Sequence, residues 1–199
     1  LITGCPPCNT KDDLRRCSGC KVMQYCGQEH QISHRQSHKS ACNAIKRSQQ
    51  TLDEEGQKIC EHSSGNMFEK EFGRFGTMEL AQPYLEARVK LVEEVLRINT
   101  PLAIDTALNH AMEMLQLDHN DTMRMSDWIP ALLLRLRWDQ DCYDFLKSCA
   151  RTTQSLSNTP TTRSVDAFEP LDRFCPDLSG LSLSQLIALT LLKLRMVND

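Results

Sequence analysis

At 199 residues, 40% hydrophobic and 25% charged, with a formal net charge of −3, the chain has an ordinary globular composition and room for one or two domains. No apolar run approaches the ~18 residues of a membrane-spanning helix, and so weak a charge makes no electrostatic case for nucleic acid. Six of the ten cysteines lie between Cys5 and Cys42, interleaved with histidines, which points to metal in a reducing compartment, cytosol or nucleus, rather than to a secreted disulfide scaffold. The chain starts at "LITGC" without Met and its last apolar stretch stops at "MVND", as expected of a piece of a longer protein.

The first element is the cysteine–histidine cluster. Cys5 and Cys8 form one C-x2-C knuckle, and Cys17 and Cys20 form another. Cys26 and His30 are four residues apart, as are His38 and Cys42, a spacing that puts each pair one helical turn apart. A knuckle converges two sulfurs on one ion at about 2.3 Å each, and a helical pair can close the other half of the tetrahedron. Eight ligands make two closed sites, which is structural rather than catalytic zinc, because a catalytic ion keeps a position for water. His34 is the spare imidazole, read as a polar helix residue between the sites. The segment needs metal: so short a stretch buries too little apolar surface to fold alone, and structural zinc contributes about 10–16 kcal/mol per site in small fingers.

Residues 43–48 continue the last helix of the cluster, closing a first domain at 1–48. Residues 49–79, polar and dotted with glycine, read as a linker with one short helix at most. From Leu80 the period becomes helical. "YLEARVKLVEEVLRIN" carries a stripe of Leu85, Val89, Val92 and Leu96. The next helix opens with Thr100 as cap and Pro101 in its first turn, and its stripe is Ile104, Leu108, Ala111 and Leu115. Asp127 can cap "WIPALLLRLR", and "WDQDCYDFLKSCA" starts from Asp139. Two helix pairs with short turns predict an all-α helical-hairpin array over 80–199, although no clean 34-residue repeat emerges. A flexible Ser/Thr-rich loop is expected near 151–170, and "LSLSQLIALTLLKLRMV" closes the chain as an apolar helix.

"CPPC", "CSGC", "QYC", "HQ", "HK" and the final Cys42, in this order, resemble the MYND-type zinc finger. The resemblance implies a cross-brace, in which Cys5, Cys8, Cys26 and His30 hold one zinc and Cys17, Cys20, His38 and Cys42 hold a second. It has two departures. His30 stands where the family usually has Cys, which makes that site one unit less negative. Arg35 stands where the family frequently has the Trp that, with a Ser and a Gln, binds proline-rich peptides; the matching positions here are Ser18 and Gln31. Ser18, Gln31 and Arg35 are therefore the candidate peptide-binding residues, without the aromatic plate against which proline stacks. The later helices resemble the region after the finger in uncharacterised fungal MYND-type proteins, and "PALLLRLRWDQDCYDF" more weakly resembles the helix–turn–helix of TPR-like arrays.

The function expected is a non-catalytic module in which finger and helical array recruit protein or peptide partners. The enzyme alternative is a lysine methyltransferase, since some family members carry the finger inside a β-rich SET domain with an Asn-His motif. The only Asn-His pair here, Asn109-His110, falls mid-helix. Nucleic-acid binding is the third class. Residues 1–47 carry eight Lys/Arg against three Asp/Glu, an excess that six thiolates around two zinc ions reduce by about two charges. His110 with Glu113, and Cys60 with His62, have metal-like spacing, but are read as helix surface and as linker.

Overall fold

The computed structural model describes residues 1–61, 66–152, 167–168 and 180–198, and its contacts divide the chain into two units, Leu1–Met125 and Ser126–Asp199. The first unit begins with the two knuckles, each ended by a residue in the left-handed region, Asn9 (φ 62°) after Cys8 and Lys21 (φ 63°) after Cys20. The turn they impose folds the chain back. Between them and beyond lies a minimal antiparallel hairpin that periodicity could not reveal, β1 (Arg15–Arg16) with β2 (Gln24–Tyr25), Arg15 opposite Tyr25. Next come α1 (Gln28–Ser33) and α2 (Arg35–Cys60), separated at His34.

α2 departs from the sequence reading. The segment 49–60, expected as the start of a linker, is its second half. Buried positions His38, Cys42, Ile45, Leu52 and Ile59 recur at intervals of three, four and seven, so one face runs the whole helix length and packs on α4 (Gln82–Leu96). On the exposed side Gln49–Asp53, Gln50–Glu54 and Gln57–Glu61 pair at i,i+4, which supports the helix against the cost of Gly56, about 1 kcal/mol. The rest of the expected linker is anchored as well. After α3 (Met67–Lys70), Phe68, Phe75 and Tyr84 form an aromatic cluster with ring centroids 5.1–6.2 Å apart, and Phe75 is fully buried. His119 N–H donates to Gly73 O at 3.0 Å, tying this segment to the end of α5 (Pro101–Leu117).

α4 buries Tyr84, Leu85, Ala87, Leu91, Val92 and Val95, while Val89 and Leu96 of the expected stripe are half-buried. Its buried face is wider than one stripe because α4 packs against both α2 and α5. Thr100 caps α5 as the sequence indicates, accepting from Ala103 N–H at 3.1 Å. Its hydroxyl also donates to Val22 O in the finger at 2.7 Å, and Ile2 N–H donates to Asn99 O at 2.7 Å. The finger thus sits on the α4–α5 turn and shares α2 with the helices.

The second unit is a helical hairpin, α6 (Ile129–Leu136) and α7 (Asp139–Thr152), packed by α8 (Leu183–Asn198). Asp127 does not occupy the cap position of α6, which is Trp128; its carboxylate instead accepts from Ser182 Oγ. Arg137, left-handed at φ 61°, ends α6. Arg195 donates to Asp139 Oδ1 at 2.6 Å and to Leu134 O at 3.1 Å, fastening α8 to the hairpin turn. Burial pushes the Cys142 thiol up to about 12, so it is an inert core residue. The loop expected near 151–170 lies outside the described residues apart from the end of α7 and residues 167–168, as do His62 and Cys175.

Thr100 is the joint between finger and helices, so Thr100→Val, which removes both the cap and the bond to Val22, should cost about 1–3 kcal/mol in chemical denaturation while leaving zinc content unchanged.

Candidate metal centre and adjoining groove

The first knuckle is built by backbone bonds: Cys5 N–H donates to Thr10 O at 2.8 Å, and Asn9 N–H to Cys5 O at 2.7 Å. In the second, Cys17 N–H donates to Met23 O at 2.8 Å and Lys21 N–H to Cys17 O at 3.0 Å. The donor atoms gather into two groups, Cys5, Cys8, Cys26 and His30, and Cys17, Cys20, His38 and Cys42, each within 4.8 Å. The distances test what would fit. A tetrahedron with metal–sulfur bonds of about 2.3 Å and metal–nitrogen bonds of about 2.0 Å has edges of about 3.5–3.8 Å. Cys17 and Cys42 sulfurs are 3.8 Å apart, Cys20 Sγ and His38 Nε2 3.5 Å, Cys8 and Cys26 sulfurs 3.5 Å, and Cys5 Sγ and His30 Nδ1 3.6 Å, while Cys26 Sγ and His30 Nδ1, at 3.0 Å, are closer than a tetrahedral edge. Four of these five distances are the edges of zinc tetrahedra, and each site has four protein ligands and no position for water. The histidines differ in the nitrogen they offer, Nδ1 from His30 and Nε2 from His38. Cys26 lies before α1 rather than on it, so the pair Cys26–His30 spans the entry into a helix instead of one of its turns.

The donor chemistry also calls for a cation. Burial pushes the Cys20 thiol up to about 12 and raises Cys42 too, while Cys17 is lowered because backbone N–H groups of Cys20 and Gly19 outweigh its burial, so without metal Cys20 and Cys42 hold their protons. Zinc replaces them, and its uptake therefore releases protons and weakens as pH falls. With three thiolates and a neutral imidazole around a doubly charged ion, each site carries one negative charge. Gly19 is required by the approach of Cys42, whose sulfur a Cβ at that position would meet at 2.7 Å.

His34 is in neither group. It joins the helices at the break between α1 and α2, bonds Tyr25 Oη through Nδ1 at 2.9 Å and stacks on His38 with centroids 5.9 Å apart. It orients a ligand rather than acting as one.

Beside the second zinc site runs an open groove of about 540 Å³. Cys17 and Cys42 line it together with Ser18, Gln31 and Arg35, so the three candidate peptide-binding residues share one surface. Gln31 Nε2 donates to Cys17 Sγ at 3.6 Å, and the positive charge of Arg35 favours the Cys42 thiolate. Gly19, Gln28, Ile32 and Asn43 also line it, as does Lys46, which the sequence offers with Lys21, Arg35, Lys39 and Arg47 as a basic set for an acidic peptide or phosphate, with a merely solvated face favoured there. Lys46 lies eleven residues beyond Arg35 and so on the same flank of α2.

Two interleaved closed sites, each joining one knuckle to one later pair, define a cross-braced structural zinc finger. Residues 5–42 match the family model of the MYND finger, and this part of the chain is a MYND finger with two zinc ions. Comparison with curated proteins and with solved structures finds no match.

Three variants separate the roles. Cys17→Ala should reduce zinc from two ions to one by native mass spectrometry and lower the melting temperature. Gly19→Ala, which keeps all eight ligands, should lose the same ion through displacement of Cys42. His34→Ala should retain both.

Proposed function

We propose that the chain is a non-catalytic protein-interaction module whose finger groove receives a segment of a partner protein. The observation that carries this reading is the groove itself: an accessible cleft, lined by Ser18, Gln31 and Arg35, directly over a zinc site that is closed to chemistry. MYND fingers are commonly such modules, and the helices that carry this one hold its groove on the rigid N-terminal half of α2. Against the methyltransferase alternative stand two observations. The sheet among the described residues is one two-residue hairpin, and Asn109-His110 lies within α5. No helix among the described residues is long and apolar enough to cross a membrane.

Selection from a diverse peptide display library on the zinc-loaded chain tests the reading. Peptides should be enriched on the wild type and lost on Cys17→Ala, whose groove has lost part of its lining. Selection that yields no peptide dependent on the finger, or methyl transfer to any substrate by this chain, would sink it.

A further inference from the structure

We infer that the groove recognises an acidic segment in extended conformation, whose carboxylates are held by Arg35 at one end and Lys46 at the other; this rests on the groove being a peptide site. The groove contains two cations and no Asp or Glu among its lining residues. Neither Arg35 nor Lys46 has a carboxylate partner among the described residues, where ion pairs occur only from residue 55 onward. Their positive charge therefore faces the groove uncompensated by protein acids.

Arg35 shares the groove lining with Cys42, whose zinc site carries a negative charge. Its planar fork of five N–H donors matches a carboxylate in a two-point pairing. Lys46 is three turns further along α2 on the same flank, about 16 Å away along the axis. An extended peptide advances about 3.3 Å per residue, so about five residues separate the two carboxylates that would engage both cations. In the same lining, Ile32 is 65% exposed and offers an apolar contact, while the Asn43 and Gln28 amides can pair with peptide backbone. No aromatic side chain lines the groove, so proline stacking, the competing chemistry, has no plate here.

The test is fluorescence anisotropy on the zinc-loaded 199-residue chain with labelled peptides of about twelve residues. One carries two Glu about five positions apart around a central Leu; others replace Glu with Gln, replace Glu with Lys, or are proline-rich. The Glu peptide should bind about fivefold or more tighter than its Gln version at low salt, with the gap closing as ionic strength rises. Lys46→Glu, which touches no zinc ligand position and should keep two ions by native mass spectrometry, should lose about fivefold for the Glu peptide and gain for the Lys peptide. Arg35→Glu should act likewise, but Lys46→Glu decides the matter if Arg35→Glu loses zinc. Equal affinity for Glu and Gln peptides, preference for the proline-rich peptide, or displacement by duplex DNA at lower concentration than by free Glu peptide would each overturn the inference. Binding without acidic preference leaves the interaction module standing; no binding by any peptide removes both.

Discussion

Everything in the first unit depends on the coordination of two zinc ions by three thiolates and one imidazole each. Thirty-eight residues cannot bury enough apolar surface to hold two knuckles, a two-residue hairpin and a six-residue helix in place. The metal replaces the missing core. It also does something a hydrophobic cluster does less sharply, which is to fix rotation. His38 and Cys42 are ligands of the second ion and also the first buried positions of α2. Once they are bound, the orientation of α2 is set, and Ile45, Leu52 and Ile59 on the same face are aimed at α4. The finger is therefore the starting point of the helical core rather than an appendage on a tether.

That continuity explains where the sequence was readable and where it was not. The eight ligands were legible because metal coordination demands particular residue types at particular spacings; their grouping into two sites came only with the resemblance to the MYND finger, since spacing alone does not say which knuckle shares an ion with which later pair. The Thr100-Pro101 start of α5 was legible for a similar reason: capping is local chemistry. The far half of α2 was not. Its buried positions beyond Ile45 are two, Leu52 and Ile59, a full two turns apart, in a helix whose remaining residues are mostly polar. So sparse a stripe is indistinguishable from a solvated segment until the zinc-bound end is known to set its face. The aromatic anchors Phe68 and Phe75 were hidden likewise among glycines and charges. Asp127 closes a short turn, Met125–Asp127, before α6 rather than capping it, and it bonds Ser182, 55 residues away, a partner that local reasoning cannot see. Of the TPR-like resemblance, what the structure contains is one hairpin, α6–α7, packed by α8.

The residues around the second zinc site carry two duties at once. Gln31 donates to Cys17 and Arg35 places its charge near Cys42, dispersing the negative charge of the coordinated thiolates, and both also line the groove. Donors to ligand atoms hold those ligands in orientation and tune their basicity. Arg35 in place of an aromatic residue therefore changes more than a stacking surface. It puts a positive charge near a negative metal centre and in the lining of the groove.

Because Cys17 and Cys42 are both zinc ligands and groove lining, metal and ligand binding cannot be independent. Without the ion, the sulfurs separate or reprotonate, and the groove loses the geometry that positions Arg35 and Ser18. A segment that binds only the zinc-loaded groove must, by linkage, tighten zinc by the same factor by which zinc tightens the segment.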